Sequence, residues 1–205
     1  MTSRRGFGAI GVTVAVGLLA AGTAGFLGGA AGTVPAGTPV ADTFQVDAVH
    51  SSVLYRIKHL NTAWSYGRFN DVSGTFNIAE GGTIDVTVKT DSVDSGNEKR
   101  DGHLKSPDFF SAKEFPEMSF KTSSITKTGD NTFEATGTFT LKGVSKELTV
   151  PIEKTGEGPG MRGQGKIQGF EAKFTINRSE YGMNFMPQGL SEQVTVIVSL
   201  EGGSK

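Results

Sequence analysis

From Phe44 onward, apolar residues recur at every second position over most of the chain. Val53, Tyr55 and Ile57 alternate with Ser52, Leu54, Arg56 and Lys58, and Ile84, Val86 and Val88 alternate with Thr83, Asp85, Thr87 and Lys89. The same pattern runs through Phe133, Ala135, Gly137, Phe139 and Leu141, through Leu148, Val150 and Ile152, through Phe170, Ala172, Phe174 and Ile176, and through Val194, Val196, Val198 and Leu200. A period of two gives each segment one apolar and one wet face, so the segments are half-buried strands. Glu80-Gly81-Gly82, Gly129-Asp130-Asn131, Lys142-Gly143-Val144 and the Gly-rich loop at 156–160 are hairpin signals between them. Adding Phe44 to Val49, Tyr66 to Ile78 and Met118 to Thr126 gives about eight or nine antiparallel strands.

A sandwich and an up-and-down barrel both fit such a pattern. Short connections between sequential strands favour the barrel, so the expected fold is an all-β, eight-stranded antiparallel up-and-down barrel with one short helix. Turning the apolar face inward lines the lumen with Phe69, Phe76, Val86, Val88, Phe120, Phe133, Phe139, Phe170 and Phe174. A barrel of about eight strands is either just filled by its side chains or holds one small ligand. Periodicity does not choose between these.

The helix is expected after Ser95-Gly96-Asn97-Glu98, which has the form of a capping box, and it runs from Gly96 to Lys105 until Pro107 stops it. On it Arg100 shares a face with Leu104, Lys99 with His103, and Asp101 forms an i to i+4 pair with Lys105. A hydrolase arrangement would have Asp101 orient His103, with Ser106 or Ser111 as nucleophile. Asp101 and His103 lie about 200° apart around a helix, so no catalytic residue is assigned here. The three histidines are His50, His59 and His103. His50 and His59 are an odd number apart and face opposite sides of one strand, so no metal site is expected.

The first residues change the picture of where this barrel works. Arg4-Arg5-Gly6-Phe7 has the paired arginines of a twin-arginine signal, and no charge follows from Phe7 to Ala31. Residues 1–36 are read as a signal peptide or an uncleaved anchor, 37–42 as a linker and 43–202 as the barrel domain. The domain is therefore expected outside the cytoplasm, periplasmic or secreted. With 20 basic and 21 acidic residues the net charge is −1, which removes the basic footprint that a nucleic-acid partner requires. The chain has no cysteine, which excludes disulfides, thiolate metal sites and a cysteine nucleophile.

These residues also have a recognisable order. Phe44-Gln45-Val46-Asp47-Ala48-Val49-His50-Ser51, Lys58-His59-Leu60, Gly67-Arg68-Phe69, Val72-Ser73-Gly74, Arg100-Asp101-Gly102-His103-Leu104, Asp108-Phe109-Phe110 and Phe115-Pro116 are followed by Gly137 to Val144, Thr175 to Ser179 and Tyr181-Gly182-Met183. Together they resemble the YceI-like family, lipocalin-like periplasmic proteins that bind polyisoprenoid lipids. The segment Met161-Arg162-Gly163-Gln164-Gly165 departs from the family by being shorter and richer in glycine. The resemblance implies a hollow barrel holding an isoprenoid lipid or isoprenoid quinone for carriage or storage, a binding protein and not an enzyme, with no required cofactor; the alternatives are an enzyme acting on an isoprenoid or quinone substrate and a solid-core stress-response protein without ligand. It adds Met183 to the lumen, and Trp64, Tyr66 and Met186 as mouth residues. Arg100, His103 and Arg178 become candidates either for a lipid head group or for a network that fastens the helix. Transient contact with a membrane or with membrane redox proteins is a further expectation; the oligomeric state, monomer or homodimer, is left open.

Overall fold

The computed structural model describes residues 42–204. The proposed signal peptide and all but the last residue of the proposed linker lie outside the described residues.

The strand segments are β1 (Phe44–Val46), β2 (Ser52–His59), β3 (Ala63–Phe69), β4 (Val72–Asn77), β5 (Thr83–Lys89), β6 (Val93–Asp94), β7 (Glu117–Lys127), β8 (Thr132–Leu141), β9 (Val144–Pro159), β10 (Lys166–Asn177) and β11 (Leu190–Gly203), with helix α1 (Glu98–Leu104) between β6 and β7. They form eight staves. β1 and β2 lie along the same edge of β11, with Gln45 opposite Gly203 and Ser52 opposite Ser199. They are thus one strand interrupted by a turn. β4 pairs with β1 and β3 with β2; β5 pairs with β4 and β6 with β3, so two further staves are broken at the same level. β7, β8, β9, β10 and β11 follow in order, every pairing is antiparallel, and the β1–β11 contact closes the ring. The expected barrel is the observed fold.

The breaks have local causes. The expected strand from Phe44 to Val49 stops at Val46, because the Asp47 carboxylate turns back to accept the backbone N–H of Val49 at 2.9 Å. The expected strand from Tyr66 to Ile78 is split at Asn70-Asp71, whose backbone N–H groups donate to the Ser92 hydroxyl at 3.2 and 3.1 Å. Lys142 and Gly143 both have positive φ, 50° and 75°, the two-residue turn that matches strand twist.

One end of the barrel is plugged. Phe44 stacks on Phe76 with centroids 6.0 Å apart, and Phe76 meets Phe170 edge-on at 5.0 Å. Gly202 has to be a glycine here, since a Cβ would stand 2.8 Å from the Phe76 ring. Buried Gln168 accepts the Ile78 N–H at 2.7 Å and donates to Glu157 at 2.8 Å, which satisfies the polar atoms of the plug.

The turn between β1 and β2 carries an exposed ion pair, His50 Nδ1 to Asp47 Oδ2 at 2.8 Å, with Glu201 3.9 Å away. These three are the one set of clustered metal-ligand types among the described residues. The hydrogen bond to Asp47 raises the His50 pKa above its ordinary 6.5, and the same bond holds Asp47 below 3.8. The histidine contribution is complete below pH 6.5 and fades as pH rises through the raised value; the aspartate contribution is complete above pH 3.8 and fades as pH falls. His50→Gln is therefore expected to lower the melting temperature most between pH 4 and 6.5 and by progressively less as pH rises above 6.5; a difference that stays constant from that window into the alkaline range would contradict the pairing.

Candidate ligand-binding lumen

Above the plug the barrel is hollow. A cavity of about 580 Å³ runs from Phe170 and Leu200 near the plug to His59, Ala63, Phe185 and Met186 at the other end. Along β11 its wall extends from Leu190 to Leu200, about 33 Å of strand at about 3.3 Å per residue. Inward-facing Tyr55, Phe120, Phe174, Val194, Val196 and Val198 are only half-buried, although β-strands cover their backs. In a filled core such positions would be inaccessible; here their open surface faces the lumen.

Among the residues expected to line it, Phe69, Val86, Val88, Phe120, Phe139, Phe170, Phe174 and Met183 bound the cavity. Phe76 and Phe133 do not. Both are buried, but Phe76 belongs to the plug, and Phe133, near the start of β8, packs beside Ile152, which borders the cavity in its place. Alternation gave their face and not their height along the axis.

The mouth is made by the β2–β3 hairpin, α1 with the segment that follows it, and the loop between β10 and β11. The helix begins later than the capping box predicted. Asn97 is the N-cap, its side chain accepting the Arg100 N–H at 3.0 Å, and Gly96 at φ 74° supplies the turn before it. Ser95 instead donates from its hydroxyl and its backbone N–H to Asp101, at 2.5 and 2.8 Å. Asp101 thus serves Ser95, not Lys105. Arg100 returns its guanidinium to Ser95, donating to the hydroxyl at 2.8 Å and to the carbonyl at 2.6 Å.

His103 and Arg100 both border the cavity without touching each other as hydrogen-bond partners. His103 Nε2 lies 2.8 Å from Asp108 Oδ2, a partner the sequence reading did not foresee, and neither the Ser106 nor the Ser111 hydroxyl bonds to its ring. Its ring packs edge-on against Phe109 at 5.1 Å and Phe185 at 4.9 Å, while Phe110 meets Phe69 at 5.3 Å inside the barrel. The helix is therefore seated through Phe109 and Phe110. Phe185, in an aperiodic loop, was missed.

Arg178 is 3% exposed and spends its guanidinium on four backbone carbonyls: Met183 at 2.6 Å, Phe185 at 2.9 Å, Ser191 at 3.0 Å and Leu190 at 3.3 Å. It ties the loop between β10 and β11 into shape, and this engages the donors that a head group would need. Lys142 supports the same end, donating to the Pro107 and Gly182 carbonyls at 2.7 and 3.1 Å. Trp64 and Met186 border the cavity and are also exposed to solvent. Tyr66 does not border it: opposite Arg56 in the sheet, it stands on the outer face.

Tyr55 was not singled out by the sequence. Its ring projects into the lumen over Gly67, where a Cβ would come within 2.3 Å of the hydroxyl, and that hydroxyl makes no hydrogen bond among the described residues. Burial raises its pKa to about 12, so it stays a neutral O–H donor inside an apolar tube.

Known proteins with this architecture follow from these features. The model of the YceI-like domain matches residues 44–202. Protein YceI of Escherichia coli O17:K52:H18 is 36% identical over 173 residues, 82% of this chain and 90% of that protein. The crystal structure of Burkholderia cenocepacia BcnA superposes with a TM-score of 0.70 at 24% identity, covering 77% of this chain and 99% of that one. A polyisoprenoid binding domain from Saccharophagus degradans, implicated in plant cell wall breakdown, gives a TM-score of 0.60 at 14% identity over 79% of this chain and 98% of that one. With the family match spanning nearly the whole barrel, the chain belongs to the YceI-like domain family.

Proposed function

We propose that this protein binds a polyisoprenoid lipid or isoprenoid quinone in its lumen, outside the cytoplasm, and carries or stores it. The hollow apolar lumen is the observation that supports this: about 580 Å³, within the roughly 300–1,000 Å³ of ligand sites. Eight staves leave room for one thin occupant, and the length of the wall along β11 suits a chain better than a compact molecule. Each buried CH₂ contributes about 0.8 kcal/mol, so a prenyl tail gains strongly from leaving water for Phe120, Phe139, Phe174 and their neighbours. The Saccharophagus domain supports the same class of ligand by analogy of fold. Tyr55, with its unpartnered hydroxyl, is the donor best placed for a polar end such as a quinone carbonyl. The reading is of binding without covalent chemistry: the Ser106 hydroxyl accepts the Asp108 N–H and the Ser111 hydroxyl donates to Glu114, so neither is set against the His103 ring as a nucleophile, and Asp101 is taken by Ser95.

Organic extraction of protein purified from its own host, followed by mass spectrometry, tests this. An isoprenoid lipid near one per chain is expected; an extract free of lipid would overturn the proposal.

A further inference from the structure

The rim of the mouth exposes what a soluble surface ordinarily hides. Leu60, Trp64, Phe185 and Met186 are between 39 and 55% exposed at this end, and Tyr66, 51% exposed, follows Trp64 two residues on along the outer wall of β3. Two of them are held there at a conformational cost. Leu60 has φ 48° and Met186 φ 51°, left-handed backbone in which glycine or asparagine would be easier and a bulky apolar residue is an outlier. The two loops are joined, Leu60 N–H donating to the Gly189 carbonyl at 2.7 Å. Each strained position thus presents an apolar side chain to water at the entrance of an apolar tube, and such outliers point toward function.

Behind this rim the outer face of the β2–β3 hairpin is basic, with Asp94 opposite Arg68 as the acidic residue at its far end. From Ser51 to Asn70 the chain has no acidic residue but carries Arg56, Lys58 and Arg68, within a chain whose overall charge is −1. Arg56 stacks its guanidinium 4.4 Å from the Trp64 ring centroid, and the Lys58 ammonium is 5.7 Å from it. Neither side chain forms an ion pair or hydrogen bond among the described residues, and Arg56 Nε is buried without a partner. Unpaired cations beside exposed Trp and Tyr, behind a fringe of Leu, Phe and Met, match the layering of a bilayer interface: headgroup phosphates outside, aromatic rings at the boundary, apolar tips below.

We propose that this rim is a docking surface for an anionic lipid bilayer, which seats the mouth of the barrel on the membrane. Its purpose, exchange of a lipid between bilayer and lumen, rests on the function proposed above; its existence is tested independently of what the lumen holds. Trp64 is the only tryptophan of the chain, so its emission reports on this surface whatever residues 1–41 contribute. The full chain is titrated with phosphatidylglycerol vesicles and with phosphatidylcholine vesicles, each also prepared with brominated acyl chains. A blue shift and bromine quenching of Trp64 on phosphatidylglycerol, weakened about 30-fold by R56Q/K58Q, is the expected result. Leu60→Asn keeps every charge and suits the left-handed backbone, so it is expected to fold at least as stably while lowering vesicle affinity. Unchanged Trp64 emission on phosphatidylglycerol would overturn the proposal. So would equal shifts on both vesicles, or responses insensitive to these substitutions, including those of a rim that serves a protein partner. Lipid in the organic extract together with a silent Trp64 would reject the docking surface and leave the lumen reading standing.

Discussion

Val196→Trp is expected to empty the barrel without unfolding it. Val196 stands opposite Tyr55 on one side and Phe174 on the other, and all three border the cavity at one level. An indole there occupies space that a chain would need, so the lipid recovered per protein should fall at least about tenfold, the equivalent of roughly 1.4 kcal/mol of lost binding. The fold should tolerate the change because the new ring enters open volume. In a filled core the same overpacking would cost about 1–3 kcal/mol. At about 2–4 °C per kcal/mol for a domain of this size, that is a loss of up to roughly 12 °C. Calorimetry on lipid-stripped samples separates the cases: an unchanged or higher melting temperature is predicted, and a drop of that size would mean that the interior is already full.

Arg178→Ala is expected to destabilise the protein by about 3–5 kcal/mol, more than any change at the helix. The guanidinium is buried and is the common donor to four carbonyls between Met183 and Ser191. A hydrogen bond to a charged group contributes about 1.5–3 kcal/mol, and the contributions are not additive because the loop can partly reopen to water. Arg178→Lys should recover little, since an ammonium cannot span acceptors arranged for a planar fork. Urea unfolding of both variants checks this. If Arg178 were instead a head-group ligand, its removal would leave stability nearly unchanged and reduce lipid content alone.

How much of this could be read from the chain follows from what alternation encodes. Phe133, Ala135, Phe139 and Leu141 on one side of β8, with Glu134 and Thr138 on the other, announce a barrel stave directly, because pleat and burial share a period of two. The same rule assigns Tyr66 to the outer face once Tyr55 and Phe69 are inside, so its place at the mouth was a misreading of a legible signal. Height along the axis has no such code. Phe76 and Phe170 differ in whether they border the cavity by a few ångströms of strand position, fixed by register and by the plug around Phe44. Whether the lumen is hollow was also illegible, since a strand pattern fixes which way Phe174 points and not what stands opposite. The site's irregular parts were hidden for a third reason. The Arg178 carbonyls, the His103–Asp108 contact and Phe185 belong to loops whose backbone course is set by tertiary bonds. Ser95 illustrates this: its spacing to Glu98 is that of a capping box, but Asp101 and Arg100 compete for its hydroxyl and win, and Asn97 caps the helix.

The central claim is that the interior is an open tube that holds one apolar chain. A crystal structure of the protein purified from its own host tests it most directly. Continuous density from the mouth at His59 and Met186, past Tyr55 and Phe174, toward Phe170 is the predicted result. A lumen closed by Phe120, Phe174 and Val196 packed against one another, with no density between them, would contradict it.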